Sequence, residues 1–445
     1  MQGLTIAIAV AAAILTLTLK PKFWPIVYVA SLAYYPSYLT IKLGSLDFNV
    51  TRVLVMLMLT LVLFNQEYTK QFKMILLDKL VIAVMVCQLF VSVFTTPFSM
   101  ILENRAGAML DSVMPYFLIR LTINEWKSYL TLLKYVLIMM VPLAILGTYQ
   151  SITSHNPVGF FAKYSAWGSG VEVFQEPRHG FYRANITFPM SIMFGLFFAM
   201  LGPSCFGLLK TVKKDKKPIL YIALGFALLG AMSSMSSGPW MAMTFSLAFM
   251  LFYKYRKNWK IVLWCFILGC IAVETISNRH FYDVLGRFTF SSSTAWYRTR
   301  LFEVAFFEGG MKDHWLFGYG LLDDPGWGKV IDYRNFTDMV NHYLLVLARY
   351  GLIGFIPFIM MIIEGIKQLI KTFKAAVFEQ ERWLIWCFAG GLFGLLSALN
   401  TVSLFGQPSI ILYLLLGFCG CFMKMTSNMP RRETISQNAI RNQNG

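Results

Sequence analysis

Charge is scarce in this sequence: only 14% of residues are charged, against roughly a quarter in a soluble domain. That shortage excludes an ordinary water-soluble fold, because 57% of the residues are hydrophobic and 16% aromatic. Acidic residues are the rarer sign, 22 against 39 Lys and Arg, for a formal net charge of +17. In a soluble protein such an excess would raise the question of nucleic acid. Here the basic residues cluster in short segments between apolar blocks: Lys210, Lys213, Lys214, Lys216 and Lys217; then Lys254, Arg256, Lys257 and Lys260; then Lys367, Lys371 and Lys374; then Arg431 and Arg432. This is the positive-inside pattern. The excess reports orientation in a membrane and attraction to anionic lipids, and no nucleic-acid partner is expected. Cysteine is absent from the polar loops: all seven lie within or at the ends of apolar blocks. No disulfide framework and no zinc site are expected from that placement. A basic region ahead of the first apolar run is also missing, and Lys20 and Lys22 follow it instead. The N-terminus therefore reads as a retained span with its end outside rather than a cleaved signal.

What the sequence has in quantity is apolar blocks, many long enough to cross a hydrocarbon core of about 30 Å. They predict an all-α, polytopic membrane protein with 12–13 transmembrane helices and a large periplasmic loop. Candidate spans lie at 4–19, 23–39, 52–64, 80–98, 105–121, 129–150, 186–207, 218–236, 239–255, 261–277, 342–366, 383–400 and 408–425. The block 52–64 is short, and 105–121 contains Asp111 and ends at Arg120. If one of these is re-entrant, the number falls to twelve and the N-terminus moves inside. The chain divides into N-terminal helices (1–150), a first outer loop with the middle helices (151–277), a large outer loop (278–341), C-terminal helices (342–425) and a cytoplasmic tail (426–445). A loop as long as 278–341 is usually functional, whereas the extreme C-terminus reads as a disordered tail.

The five histidines (His155, His179, His280, His314, His342) all fall on the outer side or its membrane edge. His342 differs from the rest because it opens an apolar helix, NHYLLVLARYGLIGF. Seven residues on, Arg349 shares its face roughly 10 Å deeper. A lipid-facing arginine there would cost about 3 kcal/mol, so it should face the bundle interior, a wet cavity or an anionic partner. Within the large loop, STAWYRTRLFEVAFFEGG reads as a short amphipathic helix carrying Arg298 and Arg300, with Phe302, Val304, Ala305 and Phe306 as apolar ballast. KDHWLFGYG follows, with Gly318 and Gly320 suited to a tight turn. In the first outer loop, QEPRHGFYRANITFP places Arg178, His179 and Arg183 just before a span. Arginine forks suit bidentate capture of phosphate oxygens. Together these residues could form a basic outer pocket for a pyrophosphate. Asp323 and Asp324, an acidic pair without further ligands at a fixed spacing, read as a loop turn, and no metal site is expected.

The motifs YRTR, HWLFGYG and NHYLLVLARYGLIG, in that order, resemble the C-terminal region of the O-antigen ligase and polysaccharide polymerase superfamily. FYRANITFP is similar to that family's arginine-containing approach to its middle span. The likeness covers residues 175–420. It implies a metal-independent, inverting membrane glycosyltransferase without a cofactor, in a bacterial inner membrane with its active face periplasmic. The donor would be an undecaprenyl-diphosphate-linked oligosaccharide, the acceptor a glycan or lipid A-core, and other polysaccharide-assembly proteins would be the partners. Carried over, His342 would be base or polariser for the acceptor hydroxyl, with Asn341 beside it. Arg298 or Arg300, with Arg183, would stabilise the departing diphosphate as its charge develops. One departure is plain: many members carry a serine-arginine pair between two middle spans, where this chain has SSMSSGPWMAM, with Gly238-Pro239. That favours polymerase over ligase, and Arg349 is the residue expected to compensate. The competing expectation is a flippase or secondary transporter. Transporters gather ionisable residues near the bilayer midplane, yet 80–98, 186–207, 218–236 and 383–400 carry no charge.

Overall fold

Each expected span overlaps helix in the computed structural model, with 35–39 and 186–190 outside it; the structure describes residues 2–44, 46–70, 72–165, 177–276, 280, 292–321 and 324–427. Asp323, the tail beyond Ser427 and most of 278–291 lie outside the described residues. Apart from an antiparallel pair, Ile41–Leu43 with Leu46–Phe48, the described elements are helical. Among the described residues, seven helices are long and apolar enough to cross a membrane, and Gln2–Thr18 and Val50–Phe64 are shorter apolar ones. Side chains such as Phe90, Val93, Phe94, Ile261, Trp264 and Phe266 stand exposed on the outside. A soluble monomer rarely exposes apolar surface so continuously, whereas hydrocarbon would cover it at no cost.

The centre is formed by Ser191–Cys205, whose residues are nearly all buried, and Gln407–Ser427, most of whose residues are. Around them the helices cross closely at small residues. Gly394, for example, lies directly against the Ala242 carbonyl of helix Ser237–Leu251, the close approach small residues permit in membrane interiors.

The two charges that made 105–121 doubtful as a span are both paired. This block runs as Phe98–Ala108, a π turn at Met109–Val113 and Met114–Thr122. Asp111, on the π turn, accepts from Arg52 Nε and Nη2 at 3.0 and 2.6 Å. Arg120 donates to Asp78 from Nε and Nη2 at 2.7 and 2.9 Å, with 4% and 0% of the two side chains exposed.

Hydrogen bonds sort the loops into two ends, and Ser191–Cys205 and Glu379–Ala398 run between them. At one end, Ser37 donates to Gln407 at 2.9 Å, the Tyr182 amide to the Ser151 carbonyl at 2.8 Å, and the His342 amide to the Leu399 carbonyl at 2.8 Å. At the other end, Lys210 meets Glu379 at 3.1 Å and Lys424 donates to Asn124 at 2.9 Å. The basic clusters at 210–217, 254–260 and 367–374 lie toward the second end, and the candidate site lies at the first.

Candidate functional site

The loop helix forms where its sequence predicts, at Ser292–Phe306. Its buried face is Tyr297, Leu301, Val304 and Ala305, the spacing of one helical face. Phe302 and Phe306, expected as ballast, are only partly covered. This face packs with Trp327 and Ile331 against Leu344, Leu347 and Ala348 of helix His342–Ala375. Tyr297 OH also accepts the Asp338 amide at 2.9 Å. Docking therefore places Arg298 beside the loop that follows Ala398, where Arg298 Nη2 donates to the Thr401 carbonyl at 3.0 Å. Its Nε and Nη1 are buried and have no hydrogen-bond partner among the described residues. Burial, reinforced by the neighbouring Arg178 charge and opposed by Asp338, pushes the Arg298 guanidinium down to about 10.

Arg178 and Arg183 reach the same place from the segment that precedes Ser191–Cys205. The expected helix start at 186 moves to Ser191 because side chains hold 183–188 in another shape. Gln150 Oε1 accepts the Asn185 and Ile186 amides at 3.0 and 3.2 Å, and Gln150 Nε2 donates to Asn185 Oδ1 at 2.9 Å. Ile186 takes a φ of 46°. The Ala184 amide bonds to the Ser233 carbonyl at 3.1 Å, fixing Arg183 over the turn before Ser237–Leu251. Arg183 Nη2 donates to Ser236 Oγ at 3.2 Å, and Arg178 Nη1 to the Met235 carbonyl at 3.5 Å. Gly238 lies so close to Val402 that a Cβ would overlap it. The turn at 235–238 and the loop at 401–402 therefore touch, and Arg178, Arg183 and Arg298 converge on their joint.

His342 is bound to the same loop. Its Nδ1 accepts the Leu404 amide at 3.2 Å, and its ring packs edge-on against Phe358 with centroids 5.7 Å apart. An imidazole nitrogen that accepts an N–H carries no proton, so neutral His342 has its proton on Nε2. In this geometry the free nitrogen is a donor. The polariser role fits that tautomer; the base role does not, because a base at Nε2 would require a proton on Nδ1 and break the Leu404 bond.

Other expected site residues stand apart from this cluster. Arg300 is engaged by Glu303 at 2.6 Å and Glu308 at 2.7 Å. Asn341 caps its helix, its Oδ1 accepting the Leu344 amide at 3.0 Å, so that oxygen is committed to the backbone. His179 is exposed with a φ of 50°. Arg349 is exposed, lies within electrostatic reach of His342 and lines two cavities. Among the other histidines, His314 stacks on Tyr319 at 3.8 Å, and His280 pairs with Glu274 at 2.7 Å. Asp324 does serve a loop turn: Thr337 and Gly326 donate to it at 2.6 to 2.7 Å. Partial burial works against its charge, yet these bonds hold its carboxyl below the usual carboxylate range.

The glycine motifs, separate in sequence, are one structure. Helix His342–Ala375 breaks at Gly351, with φ 57° and ψ −165°. The break frees the Ala348 and Arg349 carbonyls to accept the Tyr319 and Gly320 amides at 2.7 and 3.1 Å, and lets the Leu352 amide reach the Trp315 carbonyl at 2.7 Å. Gly351 to Ala is expected to cost about 1–3 kcal/mol from backbone conformation alone. Overlap of the new Cβ with the Leu316 carbonyl adds to it. A thermal melt in detergent tests this, and an unchanged midpoint would refute it.

The residues that sequence reasoning missed are Arg105 and Arg52. Each sits in or beside an apolar block without a recognisable motif, and only tertiary contacts mark it. A scan against protein-family models and a search of curated proteins each gave no match.

Proposed function

We propose that this chain is a membrane-embedded glycosyltransferase that moves glycan from a polyprenyl-diphosphate carrier to an acceptor at the end bearing the arginine cluster. In this reading the protein has 12–13 spans in a bacterial inner membrane, and that end is periplasmic. The observation that carries it is the convergence of Arg178, Arg183 and Arg298 on one joint, with His342 bound to the adjoining Leu404. A buried arginine with unpartnered nitrogens beside a second arginine is costly until an anion supplies acceptors. A diphosphate supplies them and gains charge as it departs, so fixed donors stabilise the transition state more than the ground state. The acceptor oxygen attacks the anomeric carbon, the bond to the diphosphate breaks with inversion, and the acceptor proton leaves to water or to the departing phosphate. His342 would act in this scheme as a donor from Nε2.

The test is purified protein with a polyprenyl-diphosphate oligosaccharide, the products resolved on a gel. A ladder indicates a polymerase, as this reading favours, and a single capped species a ligase. Transbilayer movement of the lipid without any new glycosidic bond would replace the reading with a flippase. The role of His342 has its own test. His342 to Gln keeps an N–H donor and is expected to retain transfer within about tenfold, whereas His342 to Ala loses about 10²-fold or more. Equal losses in both would reinstate a base.

A further inference from the structure

Two cavities meet beside this site. One, of about 430 Å³, is bounded by Ser403, Leu404 and Met339, next to His342 and its loop. The other, of about 510 Å³, opens among Arg52, Arg105, Asp111 and Tyr350. They share Leu321, Arg349 and Phe405 as a common wall, so a chain-like ligand leaving the reacting centre along the first is led past Arg349 into the second. Both lie within the size range of ligand pockets.

The second cavity has uncommitted positive charge. Arg105 is only 8% exposed. Its Nη1 and Nη2 donate to the neutral partners Gln88 and Tyr350 at 3.1 and 2.7 Å, and its guanidinium lies 5.1 Å from the Tyr350 ring centre. Its Nε has no partner among the described residues. The Arg349 guanidinium forms no ion pair or hydrogen bond with a described residue. The acidic residues of the wall do not answer this charge: Asp111 is closed in a fork with Arg52, Asp47 accepts from Thr40 at 3.4 Å, and Glu103 is exposed. A buried arginine without a carboxylate awaits one from elsewhere.

We propose that the Arg105–Arg349 chamber receives an anionic substituent, a carboxylate or phosphate ester, borne by a sugar of the acceptor glycan, and so selects acidic acceptors. This rests on the glycan-transfer reading for the identity of the ligand, while the chamber and its charge stand independently of it. Binding to the full-length protein in detergent is measured by calorimetry with three probes: a disaccharide containing a hexuronic acid, the neutral disaccharide of the same linkage, and inorganic diphosphate. The acidic disaccharide is expected to bind about tenfold or more tighter than the neutral one, the scale of one charge-assisted contact. Arg349 to Gln, at an exposed position that should not disturb folding, is expected to abolish that preference, and Arg298 to Met to leave it intact. Arg105 to Gln should match Arg349 to Gln if the chamber acts as a unit.

Equal binding of the two disaccharides, no binding of the acidic one, or a preference that survives Arg349 to Gln would each overturn the proposal. So would diphosphate binding that depends on Arg349 while the acidic sugar does not bind, since the chamber would then hold a carrier's diphosphate. Transfer on the gel without charge discrimination removes the chamber and leaves the transferase. Arg349-dependent binding of the acidic sugar without transfer supports the chamber and removes the transferase.

Discussion

Replacing Arg298 with methionine is expected to lower glycan transfer by about 10²–10³-fold while leaving thermal stability unchanged or raised. The two effects separate because this charge contributes little to the fold. Among the described residues its guanidinium makes one hydrogen bond, to the Thr401 carbonyl, and leaves two buried nitrogens unpaired. Burial and the adjacent Arg178 weaken its hold on the proton, and Asp338 only partly offsets them. Methionine keeps the packing of the aliphatic stem and removes the uncompensated charge, at the loss of one hydrogen bond worth about 1 kcal/mol. Lysine would restore charge without the planar fork and should recover only part of the activity. Gel-resolved transfer alongside a detergent melt decides the matter. Full activity in the methionine variant would mean that the site is misplaced, and joint loss of activity and stability would make Arg298 a structural residue.

The largest expected loss of stability comes from the opposite end. Asp78 to Ala should destabilise the protein by about 3–5 kcal/mol, because it strands a buried arginine. Asp78 accepts from Arg120 twice, from Tyr116 OH at 2.6 Å and from the Ile75 amide at 2.8 Å. Arg120 in turn donates to the Gly420 carbonyl at 2.9 Å, tying Met114–Thr122 to the central helix Gln407–Ser427. Replacing both charges by leucine should recover much of the loss, since a well-packed apolar pair often does as well as a buried ion pair. Asp111 to Asn is the control. Its pair with Arg52 is 20% and 27% exposed, so water compensates for part of what is removed and the loss should be smaller. A double variant no more stable than Asp78 to Ala would show that the hydrogen bonds to the backbone, not the charge pair, matter there.

Much of the helical architecture was legible because apolar blocks have one solution in hydrocarbon. With no water to satisfy the backbone, each block must close its own hydrogen bonds as helix. The amphipathic run within 293–310 was legible for a related reason, since its apolar residues recur with the period of one face. Segment ends were less so. Residues 186–190 read as the start of a helix, and only Gln150, distant in sequence, diverts their amides. Similarly, Asp111 and Arg120 cast doubt on a span because their partners, Arg52 and Asp78, lie 59 and 42 residues away.

For the site, composition and motif order pointed to Arg178, Arg183, Arg298 and His342, and these four lie around adjoining segments, 235–238 and 399–404. The motifs could not separate Arg298 from Arg300, two residues apart. Helix geometry does, by turning Arg300 toward Glu303 and Glu308 and Arg298 toward the Thr401 carbonyl. Nor could they give the tautomer of His342, which depends on the Leu404 amide, 62 residues away. Charge scarcity and apolar blocks are local properties, so the sequence by itself determined a helical chain suited to a membrane, with its polar chemistry gathered in a few loops. Which arginines meet, which are neutralised and which nitrogen of His342 is free depend on contacts between segments far apart in the chain. Those contacts exist only once the helices have packed, and the tertiary structure alone decided them.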